Sequence, residues 1–577
     1  MNDIENISVG DIFIGRLKRF KKKYLAKISG TKLRITIKRK FGDSQNLKSC
    51  HKNKTLVAVK ILSVNNLQGE IISTVDESEI SAIIIKHGVI ERFPEKVKHA
   101  AAKIEYKPSA EEISKRIDRR NLKIVTIDGE DAKDLDDGVF AEKIDGGYFL
   151  GVYIADVSHY VKNFSVLDKE AFARGTSIYP VGRVVPMLPV ELSNGICSLN
   201  PGVNRLAMAC EMILDLSGKV TSYKIFPTVI KIFRRLSYTQ VNKFLDGETS
   251  ELEDCATNLK NLLEVYNLRK KIRVERGAID FELPELEITL GKNENPVNIT
   301  KKIRGVAECI IEECMLAANE TVAEHTVKNN IPSLYRVHEN PNSEKIETFN
   351  HLLNHFGLHI PNSREVQPLQ FQKILAQVKN LPAEKVISTF ALRSMQQARY
   401  SSKNTGHFGL AAQFYTHFTS PIRRYPDLIV HRMLKATPEE IPALAKKLEE
   451  IALQSSEMER RAVEIEREVE DLKCVEFMKK YLNEEFDAVI CSVTGFGFFV
   501  ELENGVEGLV HVAKLDDDYY NYVESEFALI GKHKGRSFHI GDAVRVKLIH
   551  ANIELRKLDF ELVEGVTTEN LIADIRD

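Results

Sequence analysis

The chain has 577 residues, 43% hydrophobic and 28% charged, which suits about three to four cored domains and excludes a disordered polyelectrolyte. The 81 Lys and Arg against 82 Asp and Glu leave a net charge of -1, excluding an extreme overall charge. Residues 1–60 nevertheless hold 16 basic and 4 acidic side chains, and a basic end on an acidic remainder points to a polyanionic partner.

From Val9 to about Ser73, short alternating runs such as DIFIGRLKRF and KLRITIKRK are parted by turns at Ser29-Gly30 and Gly42-Asp43-Ser44. This pattern predicts a small antiparallel barrel within residues 1–80. Phe13, Phe20 and Tyr24 interleave with its Lys and Arg, which suits a nucleic acid surface. Residues 81–110, helical and charged in pattern and broken by Pro94 and Pro108, read as a linker.

Residues 111–482 read as one α+β domain. Strand-like runs (KIVTID, YFLGVYIADV, LAMACEMILDL) precede a helical half that contains RGVAECIIEECMLAANETVAEHTV and a charged helix from Pro438 to Leu482. That last helix breaks any strict heptad at QSSEMERR, so it is expected to pack on its own domain rather than to dimerise. At residues 483–565 the period returns to strands with Gly-containing turns, predicting a second small barrel, and residues 566–577 form an acidic tail. The fold class is therefore α+β multidomain, a central domain flanked by small all-β barrels.

Eight scattered cysteines include no CxxC, so neither a zinc site nor a disulfide framework is encoded, and they read as reduced thiols. The opening MNDIENISVGDIFIG lacks the basic-then-apolar order of a signal peptide, and no apolar run approaches membrane-spanning length. A cytoplasmic protein is expected.

The densest chemical signal is Thr126 to Gly138, TIDGEDAKDLDDG, with six acidic residues in the ten positions from Asp128 to Asp137. Clustered carboxylates repel one another unless a cation neutralises them, and oxygen-only donors suit magnesium or manganese. With DLDD extended, Asp134 and Asp136 face one way and Asp137 the other, while Asp128 returns from the preceding strand end. A calcium loop aligned on Gly138 would put Lys133 and Leu135 into ligand places, so that reading fails. A solvated acidic turn remains the competing reading, and the strand-like runs on both sides count against it.

Such a site serves phosphoryl transfer when a cationic side chain neutralises the transition state. The segment His417 to Asp427, HFTSPIRRYPD, supplies Arg423 and Arg424, with Thr and Ser before a helix opening at Pro421 whose N-terminus suits a phosphate. A capped helix with a solvated Arg pair is the alternative.

TIDGEDAKDLDDGVF, GVYIADVSHYV, ARGTSIYPVGRVVPMLPVELSNGICSLNP, SLYRVHENP and GHFGLAAQFYTHFTSPIRRYPDLIVHR occur in this order. Together they resemble the RNB catalytic domain of the ribonuclease II and ribonuclease R family. The resemblance implies processive 3′ to 5′ hydrolysis of single-stranded RNA to nucleoside 5′-monophosphates, driven by magnesium, with two ions and manganese as the alternative metal. By position, Asp128 and Asp137 match direct metal ligands, Asp134 supports the second ion, and Asp136 is the carboxylate whose loss stops cleavage. Arg423 matches the arginine beside the scissile phosphate, with Arg424 as a second. Tyr179 and Tyr335 resemble the base clamp. The C-terminal barrel resembles an S1 RNA-binding domain of OB fold, with Phe496, Phe499 and His511 on its binding face, and the N-terminal one is similar to a single cold-shock domain.

The chain departs from ribonuclease R in having one N-terminal barrel and an acidic end, so its capacity for structured RNA is open. Tyr153 stands where the family often has His. The reading is a monomeric exoribonuclease of RNA turnover, compatible with association with RNA-degradation machinery. Its rivals are a catalytically silent RNA-binding regulator and a metal-dependent DNase.

Overall fold

The computed structural model describes residues 7–20, 23–28, 33–38, 56–75, 79–280, 285–363, 365–379, 381, 384–524 and 527–563. The turn expected at 42–44, Cys50 and the acidic stretch 566–577 lie outside them. Two compact units make up the chain: Met1–Lys98 with Ile178–Val185 and Arg460–Glu470, and the remainder.

In the first unit, β1 (Ile12–Phe20), β2 (Lys23–Ile28), β3 (Arg34–Ile37), β4 (Leu56–Ser63) and β5 (Gln68–Val75) close into a barrel of order β1-β2-β3-β5-β4. Alternation puts Leu17, Ala26, Ile35, Val57 and Val59 inside. Arg16, Lys27 and Arg34 stand directly opposite one another on the outer face. Phe13 and Tyr24 are half-buried and pack against the barrel core. The stretch read as a linker opens in a helix, Glu79–Lys86, which buries Ile80, Ile83, Ile84 and Ile85, with Ile85 against Ala58. Its apolar IIIK run outweighs its charged surroundings.

The second unit is built on a seven-stranded sheet of β6 (Ile117–Asp118), β7 (Val125–Asp128), β8 (Asp137–Ile144), β9 (Gly147–Ala155), β10 (Asn204–Asp215), β11 (Val220–Lys231) and β12 (Arg234–Ser237). The spatial order is β12-β7-β8-β9-β10-β11-β6. The Val306–Lys328 helix lies on β7, β9, β10 and β11, and its Ala307, Ala317, Ala318 and Ala323 permit close approach. β8 leaves β7 after Val139, and the orphaned N–H and C=O of Ala141 are taken by Asn258 and Asn261 of the Ala256–Glu275 helix.

Tyr153, in the middle of this sheet, is fully buried and donates to Glu211 at 3.0 Å, and Arg119 holds the same carboxylate through Nε and Nη2. Its ring folds over Gly151, which faces Glu211 across the strands. A Cβ at Gly151 would lie 2.6–2.8 Å from the Tyr153 ring and hydroxyl. Gly151→Ala is expected to cost about 1–3 kcal/mol, read as a lowered denaturation midpoint, because the ring is hydrogen-bonded and cannot swing away.

A two-stranded hairpin, β13 (Leu286–Leu290) and β14 (Pro296–Lys301), and the short pair β15 (Tyr335–Val337) and β16 (Arg399–Ser401) follow. The second barrel comprises β17 (Glu485–Thr494), β18 (Gly497–Leu502), β19 (Glu507–His511), β23 (Ala543–Asn552) and β24 (Lys557–Leu562). Its order, β17-β18-β19-β24-β23, repeats the topology of the first. A small sheet of β20 (Tyr520–Val523), β21 (Ala528–Gly531) and β22 (Ser537–His539) lies between β19 and β23 in the chain.

This barrel is anchored to the central domain by three kinds of contact. Ile299 of the hairpin is buried in the barrel core, with Leu286 and Ile288 beside it. Phe527 enters the helical core against Phe390, at 4.8 Å between ring centroids. Glu501, almost fully buried, pairs with Lys301 at 3.0 Å and with Lys385.

Candidate active site

β7 ends at Asp128 and β8 begins at Asp137, so the sheet itself brings the two ends of the acidic loop together. The loop is tied from below. Ser198 accepts from Leu135 N–H and donates to the Lys133 carbonyl, and buried Arg205 holds Ser198 and Gly195 through their carbonyls. Arg235 on β12 donates to the carbonyls of Glu130 and Ala132. Gly138 is required beside Asp137, since a Cβ there would meet Ile124 at 2.8 Å and Ile232 at 3.0 Å.

Asp136 is buried. Its Oδ1 accepts Ile422 N–H at 2.8 Å and its Oδ2 lies 3.6 Å from Arg423 Nε. One Oδ of each of Asp128, Asp136 and Asp137 is buried without a hydrogen-bond partner. Burial, and then the neighbouring Asp137, push Asp128 up to about 8, although Arg235 and Arg423 oppose this. Burial pushes Asp137 up to about 6 against Arg423 and Arg424, and Asp136 well above the ordinary carboxylate range against Arg423 and the Ile422 N–H. Asp134 adds to the negative field at Asp128 and Asp136.

Three buried, partnerless carboxylate oxygens facing a cationic side chain are a costly arrangement unless positive charge is supplied. An all-oxygen set of this kind fits a hard divalent cation. Among the described residues no three Asp, Glu, His or Cys side chains form a ready-made metal cage. That is compatible with magnesium, which is commonly held by one or two carboxylates together with water and substrate phosphate.

The pKa shifts make a prediction for the cation-free chain. The folded values of these carboxyls lie above the ordinary 3.8, so from about pH 4 to about 8 they bind more protons in the folded chain than in the unfolded one. Their own contribution to stability therefore falls as pH rises across that window. A divalent cation prefers the ionised carboxylates, so magnesium should raise the melting temperature more at pH 8 than at pH 5.5. Equal shifts at both pH values would sink this assignment of the carboxylates.

The arginines divide by environment. Arg424 is bound through Nε and Nη2 to Asp427, at 3.0 and 2.8 Å, and Asp427 also accepts Ser420 N–H. The Arg423 side chain is 44% exposed against 19% for Arg424. The helix expected from Pro421 begins only at Tyr425, with Pro426 in its first turn. Residues 421–424 form a turn, and Asp427, in the first turn of the helix, binds Arg424 and Ser420 N–H through its carboxylate.

Tyr238 was not singled out by the sequence. It opens the Tyr238–Leu245 helix, whose Ser237 and Gln240 form a capping box, and Ser237 pairs with Asp128 across β12 and β7. Burial, then the charges of Asp128, Asp137 and Glu308, push its phenol up, which places it at the carboxylate site. A helix-start tyrosine gives no signal of this in the sequence.

Tyr335 is 6% exposed, packs with Ala323 and Val337, and its hydroxyl shares a hydrogen bond with Thr326. Tyr179 belongs to the first unit, where its ring is 39% exposed and its N–H is held by Glu466 at 2.7 Å. On the C-terminal barrel, register puts Phe499 and His511 on one outer face, and Phe496 meets Phe499 edge-on at 6.2 Å. Tyr522, beside Gly495, adds an exposed ring. His338 accepts Gly409 N–H and His159 lies 3.5 Å from Glu112.

A family model described as RNB domain matches residues 116–440, and one described as S1 RNA binding domain matches residues 479–562. The protein named Ribonuclease R 1 of Lactococcus lactis subsp. lactis is 45% identical over 531 residues, 88% of this chain and 65% of that protein. Ribonuclease R of Escherichia coli is 42% identical over 492 residues, 82% of this chain and 60% of that protein. The chain thus spans less than two thirds of the length of these two relatives. Among solved structures, Mycoplasma genitalium RNase R in complex with ribose methylated single-stranded RNA superposes with a TM-score of 0.85 at 28% identity, covering 97% of this chain and 90% of that one.

Proposed function

Because the chain belongs to the ribonuclease R family of RNB-domain proteins, we propose that it is a processive 3′ to 5′ exoribonuclease acting on single-stranded RNA. The observation that carries this reading is the set of buried, partnerless oxygens of Asp128, Asp136 and Asp137 beside Arg423. A protein that only bound RNA would have no use for so costly a cluster.

Asp128 and Asp137 would hold one magnesium and Asp134 would support a second, with manganese able to replace either. The ions, when bound, supply the charge that promotes attack by water and steadies the departing oxygen. Asp136 holds the turn that carries Arg423 through the Ile422 N–H, and Arg423 offers its guanidinium to the scissile phosphodiester. Arg424 works through Asp427 to shape that turn. Tyr179 stacks on a base, and Phe496, Phe499 and His511 line an RNA surface on the S1 barrel. Nucleoside 5′-monophosphates are the product. No described helix is long and apolar enough to cross a membrane, and the cytoplasm is the compartment we assign.

The test is 5′-labelled single-stranded RNA and its DNA counterpart with magnesium. Conversion of full-length RNA to a short limit product without intermediates, with DNA left intact, is the expected result. RNA bound but never shortened, with magnesium or manganese, would replace this reading with that of a silent RNA-binding regulator.

A further inference from the structure

Arg423 can serve a phosphodiester only if its long side chain is aimed. Its Nη2 donates to the hydroxyl of buried Ser420 at 3.0 Å, which ties the guanidinium to its own turn. Its main-chain carbonyl accepts twice, from Ser177 N–H at 2.9 Å and from the Thr176 hydroxyl at 3.0 Å. The single Thr176 proton is shared with the Ser177 carbonyl at 3.1 Å. Thr176 and Arg424 also form a bridge between the two segments, and Tyr425 N–H reaches the Gly175 carbonyl.

The other side chains gripping this turn also hold the fold: Asp427 binds Arg424 and Ser420 N–H, and Tyr425 reaches Asp168. Among the described residues the two hydroxyls bond to Arg423 and, for Thr176, to the adjoining carbonyl. Their main effect falls on where Arg423 points.

We propose that Ser420 and Thr176 are positioning residues for Arg423, Ser420 at its guanidinium and Thr176 at its backbone. The inference rests on the exoribonuclease reading. A hydrogen bond from a charged donor is among the stronger ones, and a small misplacement of a charge-stabilising group lowers the rate without loosening substrate binding.

The experiment is RNA hydrolysis by the full chain with magnesium, measured for Ser420→Ala, Thr176→Val and the conservative Ser420→Thr and Thr176→Ser, each also in an Arg423→Ala background. Ser420→Ala should lower kcat about 10- to 100-fold with KM within about twofold, and Thr176→Val about 3- to 10-fold. The conservative variants should recover most of the loss. In the Arg423→Ala background neither hydroxyl should matter, because Ser420 has lost its partner and the backbone that Thr176 holds no longer carries a guanidinium to aim. Losses that persist there, or that fall on KM, overturn the proposal while leaving the exoribonuclease intact. A wild-type chain that leaves RNA whole overturns both. Melting of each variant checks the fold, and if Ser420→Ala fails to fold, Thr176→Val decides alone.

Discussion

Asp136→Asn is expected to give a folded chain that still binds RNA and no longer shortens it, with cleavage lower by about a thousandfold or more. The amide keeps the Oδ1 that accepts Ile422 N–H, so the turn carrying Arg423 stays in register. What disappears is the negative charge that faces Arg423 Nε at 3.6 Å, on a buried oxygen without a hydrogen-bond partner. Burial already holds this carboxyl well above its ordinary range, so its removal should leave stability equal or higher at neutral pH. Filter binding with labelled RNA and a melting curve, beside the cleavage assay, separate these effects. Lost binding or a collapsed fold would mean that Asp136 is structural and that its charge is not the catalytic element.

Arg423→Ala should lower single-turnover hydrolysis by about a hundred- to ten-thousandfold. The size follows from its position as a cation that opposes the upward shifts of Asp128, Asp136 and Asp137 together. Removing it raises all three carboxyls further, so the variant should also need a higher pH to bind magnesium. Arg423→Lys keeps the charge but loses the planar fork that reaches both Ser420 and a phosphate, and should recover only part of the rate. A full rate in Arg423→Lys would show that charge alone suffices, and an unchanged pH profile in Arg423→Ala would detach Arg423 from the carboxylates.

The aspartates were legible in the sequence because their chemistry is local: Asp128 and Asp137 end and begin consecutive strands, and no distant register is needed to bring them together. Arg423 was legible as an isolated cationic motif, but its helix was placed four residues early because Pro421 and Pro426 give the same start signal. Tyr238 and Arg235 were hidden for the opposite reason. Both depend on β12 pairing in parallel with β7, a register between segments about a hundred residues apart. The two barrels were visible from alternation and turns, whereas Glu501 meeting Lys301 and Lys385 left no trace along the chain.

The placement of Ile299 within the core of the C-terminal barrel has a consequence for how the protein comes into being. The ribosome releases the hairpin long before the barrel, so its apolar face stays uncovered until the last strands arrive. Completion of the barrel is then the event that retires this exposed surface, and a nascent chain stalled before β17 carries a sticky edge that a chaperone or a neighbouring polypeptide can seize. Cutting the gene at the apparent barrel boundary would make that transient state permanent on both fragments.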